Sequence, residues 1–220
     1  LSHPMGRKLS TSLSNFNILT FLRMWECRGV VVGCFIEYAM WSYMKNIVII
    51  AHNIRSLHNV GSIFRTAEGA GVDKIFLTGY TGCPPKKEIA KVALGSENMV
   101  PWVTLRGSTR KFTRKYAEKI SQENIHPVKT IGELIKCLKG EGYQIVCLEQ
   151  AKDAIGYKKY KPSGKIALII GNEVRGVSKS LQRLADVVIE IPMLGARKSL
   201  NVSVAFGIAI FYLAERMNAK

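Results

Sequence analysis

The chain has 220 residues, 47% of them hydrophobic, and its 32 Lys and Arg against 16 Asp and Glu leave a formal net charge of +16. Such a composition excludes intrinsic disorder as the default and fits one domain with a substantial core. The excess charge favours a polyanionic partner, most commonly nucleic acid, with an anionic membrane surface as the alternative.

Five cysteines (Cys27, Cys34, Cys83, Cys137 and Cys147) show no C-x-x-C spacing. Neither a disulfide framework nor a zinc site is expected, and a reducing cytoplasm fits best. The four histidines form no H-x-x-x-H pair, so no metal is expected, and His52 and His58 read as loop residues.

Residues 1–17 read as a Ser-rich basic tail. Residues 29–44 form an apolar run that contains Glu37 and is shorter than a membrane-spanning helix requires. Met44 directly precedes the first regular strand and is expected to be the functional start, with 1–43 an N-terminal extension and 44–220 the working domain. Residues 47–51 read as a buried parallel strand. An amphipathic helix follows over 60–70, with Ile63, Ala67 and Ala70 at helical spacing and Gly71 in C-cap position, then a strand over 74–78. Strand, helix and strand in that length require parallel pairing.

A loop over 81–87 and a short helix over 86–94 come next. Over 106–120, Phe112, Tyr116 and Ile120 make one narrow apolar stripe, while Arg106, Arg110, Lys111, Arg114, Lys115 and Lys119 cover most of the remaining circumference. Only Glu118 opposes them, making this the strongest local basic patch and a candidate RNA contact. Thr130 and Glu133 match a capping box opening a helix to about Leu138. A strand over 144–148 precedes a Lys-rich loop over 151–165, where Lys158 and Lys159 offer a second candidate phosphate surface. Strand 166–170, helix 178–185, strand 187–191 and a long helix 199–217, with Ser199 as its expected N-cap, complete one α/β domain.

Gly171 to Gly176 reads GNEVRG. It lacks the Lys-Ser/Thr pair that ends a P-loop and is not G-x-G-x-x-G, so an ATPase or an ordinary dinucleotide fold is poorly supported. What remains is a sharp turn after a buried strand, with Glu173 at its tip. The turn before the last helix adds free backbone groups, two small polar side chains and the positive end of a helix dipole.

Three ordered blocks stand out: NIRSLHNVGSIFRTAEGAG (53–71), IALIIGNEVRGVS (166–178) and IPMLGARKSLNVSVAFGIAIFYL (191–213). Together they resemble the signature motifs of the SPOUT superfamily of RNA methyltransferases, specifically its TrmH-like (SpoU) branch. The resemblance implies a mostly parallel sheet flanked by helices, closed by a C-terminal trefoil knot that binds S-adenosylmethionine. The implied cofactor residues are Leu148, Glu149, Ile170, Gly171, Ile191, Met193, Ser199 and Leu200, and the implied assembly is a homodimer.

The implied reaction is methyl transfer to a ribose 2′-hydroxyl of tRNA or rRNA. Arg65 is the implied centre of proton removal, with Asn59, Glu173, Ser199 and Asn201 around it; N-x-G-x-x-x-R, G-N-E and S-L-N all match. A guanidinium hardly loses a proton. Arg65 therefore either acts as a base assisted by a substrate phosphate or binds that phosphate and stabilises the developing alkoxide. A structural salt bridge to Glu68 is its bland alternative. The competing functions are a base-modifying methyltransferase, a non-catalytic RNA-binding protein of the same fold, and a basic membrane-surface protein built on 29–44. Residues 1–43 look too short to supply the larger N-terminal RNA-binding domain of many relatives.

Overall fold

The computed structural model describes residues 47–105 and 130–218. The expectations for the 1–43 extension, the start at Met44 and the basic helix over 106–120 lie outside the described residues.

Seven strands form one sheet: β1 (Ile47–His52), β2 (Lys74–Thr78), β3 (Trp102–Leu105), β4 (Tyr143–Leu148), β5 (Ile155–Gly156), β6 (Lys165–Ile170) and β7 (Val187–Glu190). Their order is β3-β2-β1-β6-β4-β7-β5, and each neighbouring pair is parallel. Among the described residues the helices are α1 (Leu57–Gly69), α2 (Lys87–Ala93), α3 (Ser96–Met99), α4 (Ile131–Gly140), α5 (Lys179–Gln182) and α6 (Val202–Asn218).

The central strands are apolar on both faces because helices cover both. Ile49, Ala51, Leu168 and Ile170 point towards Phe64 of α1, Ile89 of α2 and Phe206, Ile210 and Leu213 of α6. Val48, Ile50, Ala167 and Ile169, one residue out of phase, meet Leu134, Ile135 and Leu138 of α4 and Leu181 of α5. Period-two alternation thus becomes two cores, one per face.

Local chemistry shifts several expected boundaries. α1 begins three residues before the expected helix, because the Ser56 side chain accepts from Asn59 N–H and caps it. His58 therefore lies in α1 and His52 ends β1; neither is a loop residue. The helix expected over 178–185 is shorter, Lys179–Gln182, with Ser178 capping it by accepting from Leu181 N–H. Thr130 caps α4 by accepting from Glu133 N–H. The 151–165 segment is not all loop, since it contains β5 and a 3-10 turn, Tyr157–Lys159.

The last helix starts at Val202, not Ser199. Asn201 takes the cap: its Oδ1 accepts from Ser203 N–H at 2.8 Å, leaving Ser199 and Leu200 in irregular chain ahead of the helix. β3 and α3 have no counterpart in the sequence reading, each being four residues long and too short to show a period.

Gly61 marks the closest approach of α1 to α2. A Cβ there would lie 2.6 Å from the Ile89 carbonyl oxygen and 2.9 Å from Val92 Cβ. Gly61→Ala is expected to cost about 1–3 kcal/mol through overpacking, read as a lowered urea midpoint with unchanged m-value.

Candidate active site

The site lies beyond the carboxyl ends of the strands, around the boundary between β1 and β6, where chain direction away from the sheet centre reverses. The turn after β6 is closed on itself. Asn172 N–H donates to Gly176 O at 3.2 Å, Gly176 N–H donates back at 2.9 Å, and Asn172 Oδ1 accepts from the N–H groups of Val174 and Arg175. Two glycines make this possible. A Cβ on Gly171 would sit 2.5 Å from the Gly176 carbonyl carbon, and one on Gly176, whose φ is +64°, would sit 2.1 Å from Glu149 Oε2.

This turn aims Glu173 at the start of α1. Glu173 Oε1 accepts from Ser56 N–H at 2.8 Å and Asn59 Nδ2 at 2.9 Å; Oε2 accepts from Arg55 N–H at 2.9 Å and Asn172 Nδ2 at 3.3 Å. Asn59 Oδ1 in turn accepts from Asn201 Nδ2 at 3.2 Å, and Asn201 Oδ1 is held by Ser203 N–H. Because a carboxylate only accepts and a backbone N–H only donates, both amide orientations are fixed. Burial pushes the Glu173 carboxyl up, but the donors from Ser56, Arg55, Asn59 and its own backbone outweigh it and hold it below the usual carboxylate range.

Beside this network a cleft opens between the ends of β4, β6 and β7. It is lined by all eight residues named as the cofactor set, Leu148, Glu149, Ile170, Gly171, Ile191, Met193, Ser199 and Leu200. Glu173 joins them. The remaining lining residues include Gln150, Asn172, Glu190 and Val202, which the sequence reading did not name. Their signal was only their position just after a buried strand or just inside a helix. Three glutamates and no Lys, Arg or His line the cleft of a chain carrying +16 overall. An apolar cleft of that charge disfavours a polyphosphate and suits a neutral or cationic ligand. Glu149 is partly committed already: its oxygens accept from Gln150 N–H and Val177 N–H, tying β4 to the turn.

Of the five residues expected at the chemistry, Asn59, Glu173 and Asn201 are joined by hydrogen bonds and Ser199 lies at the cleft. Arg65 is exposed on α1 outside that chain of bonds, and the alternative bridge to Glu68 does not form. Lys158 and Lys159 are exposed on the 3-10 turn, which Tyr212 docks to α6 by donating to Lys158 O at 2.8 Å. Arg106, Arg110, Lys111, Arg114, Lys115 and Lys119 lie outside the described residues. No group of His, Cys, Asp and Glu able to hold a metal occurs among the described residues, nor does any helix long and apolar enough to cross a membrane.

A model of the SpoU rRNA Methylase family matches residues 46–120 and 105–211. This chain belongs to that family. The SpoU-family chain is 32% identical over 173 residues to a tRNA (guanosine(18)-2′-O)-methyltransferase of Aquifex aeolicus, covering 78% of this chain and 70% of that enzyme. An AdoMet-bound rRNA methyltransferase from Sinorhizobium meliloti superposes with a TM-score of 0.63 at 25% identity, covering 78% of this chain and 56% of that one. The A. aeolicus TrmH/SpoU tRNA modifying enzyme shares the fold at 23% identity, with a TM-score of 0.59 over 84% of this chain and 85% of its own. Against a TrmH-family relative from Staphylococcus saprophyticus, the chain spans 59% of the longer sequence.

A carboxyl whose pKa is depressed by folding contributes stability above its unfolded pKa and loses that contribution as pH falls through the folded value. Glu173→Gln is therefore expected to be less stable than wild type at neutral pH, with the deficit shrinking on acidification through and below the ordinary carboxylate range. Urea titrations across that window read the effect, and a deficit independent of pH would contradict it.

Proposed function

We propose that this SpoU-family chain transfers the methyl group of S-adenosylmethionine to a ribose 2′-hydroxyl of tRNA or rRNA. The observation that carries this reading is the coincidence of an acidic, apolar cleft with the Glu173–Asn59–Asn201 network at its edge. It is supported by the names of the relatives: a tRNA 2′-O-methyltransferase and an AdoMet-bound rRNA methyltransferase.

The cleft's chemistry fits the cofactor. Leu148, Ile170, Ile191, Met193 and Leu200 offer apolar walls for an adenine, loop backbone supplies its hydrogen bonds, and the glutamates favour a sulfonium and an ammonium group. When bound, S-adenosylmethionine supplies an electrophilic methyl group. The chain's own residues must align the nucleophile and help remove its proton.

Glu173 is poorly suited to take that proton, since four donors already hold its carboxylate and keep it ionised. It acts as a positioning residue, fixing the Asn59 amide, which fixes Asn201. Those two amides and the Ser199 hydroxyl orient the ribose. Arg65 binds the adjoining phosphate and either stabilises the developing alkoxide or, assisted by that phosphate, accepts the proton. Lys158, Lys159 and the basic segment over 106–120 hold the rest of the RNA.

We read 44–220 as the methyltransferase domain, its C-terminus knotted where the chain after β7 returns to pack α6 on α1. Its working site is the cytoplasm. Its working form is a homodimer, because Val204, Ile208 and Phe211, 50%, 37% and 52% exposed, make an apolar stripe at helical spacing along α6.

Methyl transfer from labelled S-adenosylmethionine to total tRNA and to rRNA, followed by nucleoside mass spectrometry, tests the reaction. A 2′-O-methylated nucleoside is expected, and Arg65→Ala should lower kcat by about a hundredfold or more with cofactor affinity unchanged. Cofactor binding without methylation of any RNA would favour the RNA-binding reading. A methylated base would favour the other enzyme. Light scattering should give twice the 24.5 kDa of one chain, falling to one chain mass in Ile208→Glu.

A further inference from the structure

We infer that Tyr80 is a stacking platform for the base of an RNA nucleotide brought to the Glu173–Asn59–Asn201 network, an inference that rests on RNA being the substrate. The cleft assigned to the cofactor opens over the ends of β4, β6 and β7, and the network stands at the β1–β6 boundary. A nucleotide approaching from the opposite side crosses the ends of β1 and β2. Tyr80 is the second residue after β2.

Tyr80 is 50% exposed, yet it is held at both polar ends. The Tyr80 N–H donates to Asn53 Oδ1 at 3.1 Å, and its phenolic oxygen accepts from Asn172 Nδ2 at 2.8 Å. The same Asn172 amide reaches Glu173 Oε2, so the ring is tied to the network through one side chain.

The backbone beneath it is committed to this placement. Asn53 is a non-glycine residue at φ +58°, its Nδ2 donating to His52 Nε2. Gly79, at φ +65°, leaves the space in which a Cβ would overlap Asn53 Oδ1 at 1.9 Å. Two left-handed residues thus support an aromatic ring that stays open to solvent, a costly arrangement for packing and a useful one for a ligand. A rigid ring loses little freedom on stacking, and every base has a face to stack.

Charge points the same way. Lys86 is exposed at the end of the loop that follows β2, Lys87 is exposed as the first residue of α2, and Arg55 is exposed beside the network, whereas the cofactor cleft has no basic residue. An exposed aromatic ring on a connection that also carries exposed cations suits a nucleotide with its neighbouring phosphates.

Ultraviolet crosslinking of the full chain to unfractionated bacterial tRNA, followed by digestion and mass spectrometry, reads the contact without turnover. A nucleotide adduct on Tyr80 is expected; no binding, or adducts that avoid the Tyr80 peptide, overturns the inference. Filter binding of the same tRNA should weaken about tenfold or more in Tyr80→Leu and stay within about threefold in Tyr80→Phe, which keeps the ring. Equal affinity in all three proteins also overturns it. Thermal midpoint and S-adenosylmethionine binding serve as folding controls, and if the Leu variant fails them, the wild-type adduct decides. Crosslinking through Tyr80 without any RNA methylation would keep the platform and remove the proposed reaction. RNA methylation with the same Michaelis constant in wild type and the Leu variant would do the reverse.

Discussion

The Glu173 carboxylate accepts from the N–H groups of Arg55 and Ser56, the residue before the α1 cap and the cap itself, while reaching there from the turn after β6, more than a hundred residues away in sequence. That capping is electrostatically favourable, because a helix N-terminus carries unpaired donors and partial positive charge. It also gives the carboxylate no freedom. With Asn59 oriented by it and Asn201 oriented by Asn59, the last helix is joined to the first through side chains whose donor and acceptor atoms cannot be exchanged. Ligand site and fold are held by the same bonds, so a change at Glu173 reaches both.

The glycines around this point serve the same end. Gly171 and Gly176 let the turn fold back close enough for Glu149 to grip Val177 N–H, which locks β4 to β6 at the mouth of the cleft. A cleft built on a closed turn and on strand ends is preorganised, and a ligand entering it loses little to ordering the protein. The contrast in charge is equally physical. A chain of +16 attracts RNA over a long range, but the cleft beside the network holds acids and apolar walls, which would repel a phosphate. In the proposed reading polyanion and cofactor are thereby directed to different surfaces on either side of the Glu173–Asn59–Asn201 network.

Much of the fold was legible from periodicity. The apolar runs at 47–51 and 166–170 are neighbouring strands inside the sheet because neither face of a parallel sheet meets water, and Gly71 stops α1 with a φ of +70°. β3 and α3 were not legible, since four residues do not display a period and their stability comes from neighbours. The cap of α6 was misplaced by two residues. Ser199 and Asn201 are both good cap residues, and only the Ser203 N–H lying against Asn201 Oδ1 chose between them.

By itself the sequence determined the strand and helix types, the basic character, and the identity of the motif residues, because each is carried by local order: apolar spacing, glycine position, charge count. Tertiary structure decided which of those residues meet. The bonds from Glu173 to Ser56 and Asn59 and from Asn59 to Asn201 span long separations that no local pattern encodes, and sheet order, not sequence order, sets β6 beside β1. It also decided that Tyr80 stays open while its phenol is bound, since a tyrosine's exposure depends on what packs above it rather than on its neighbours in the chain.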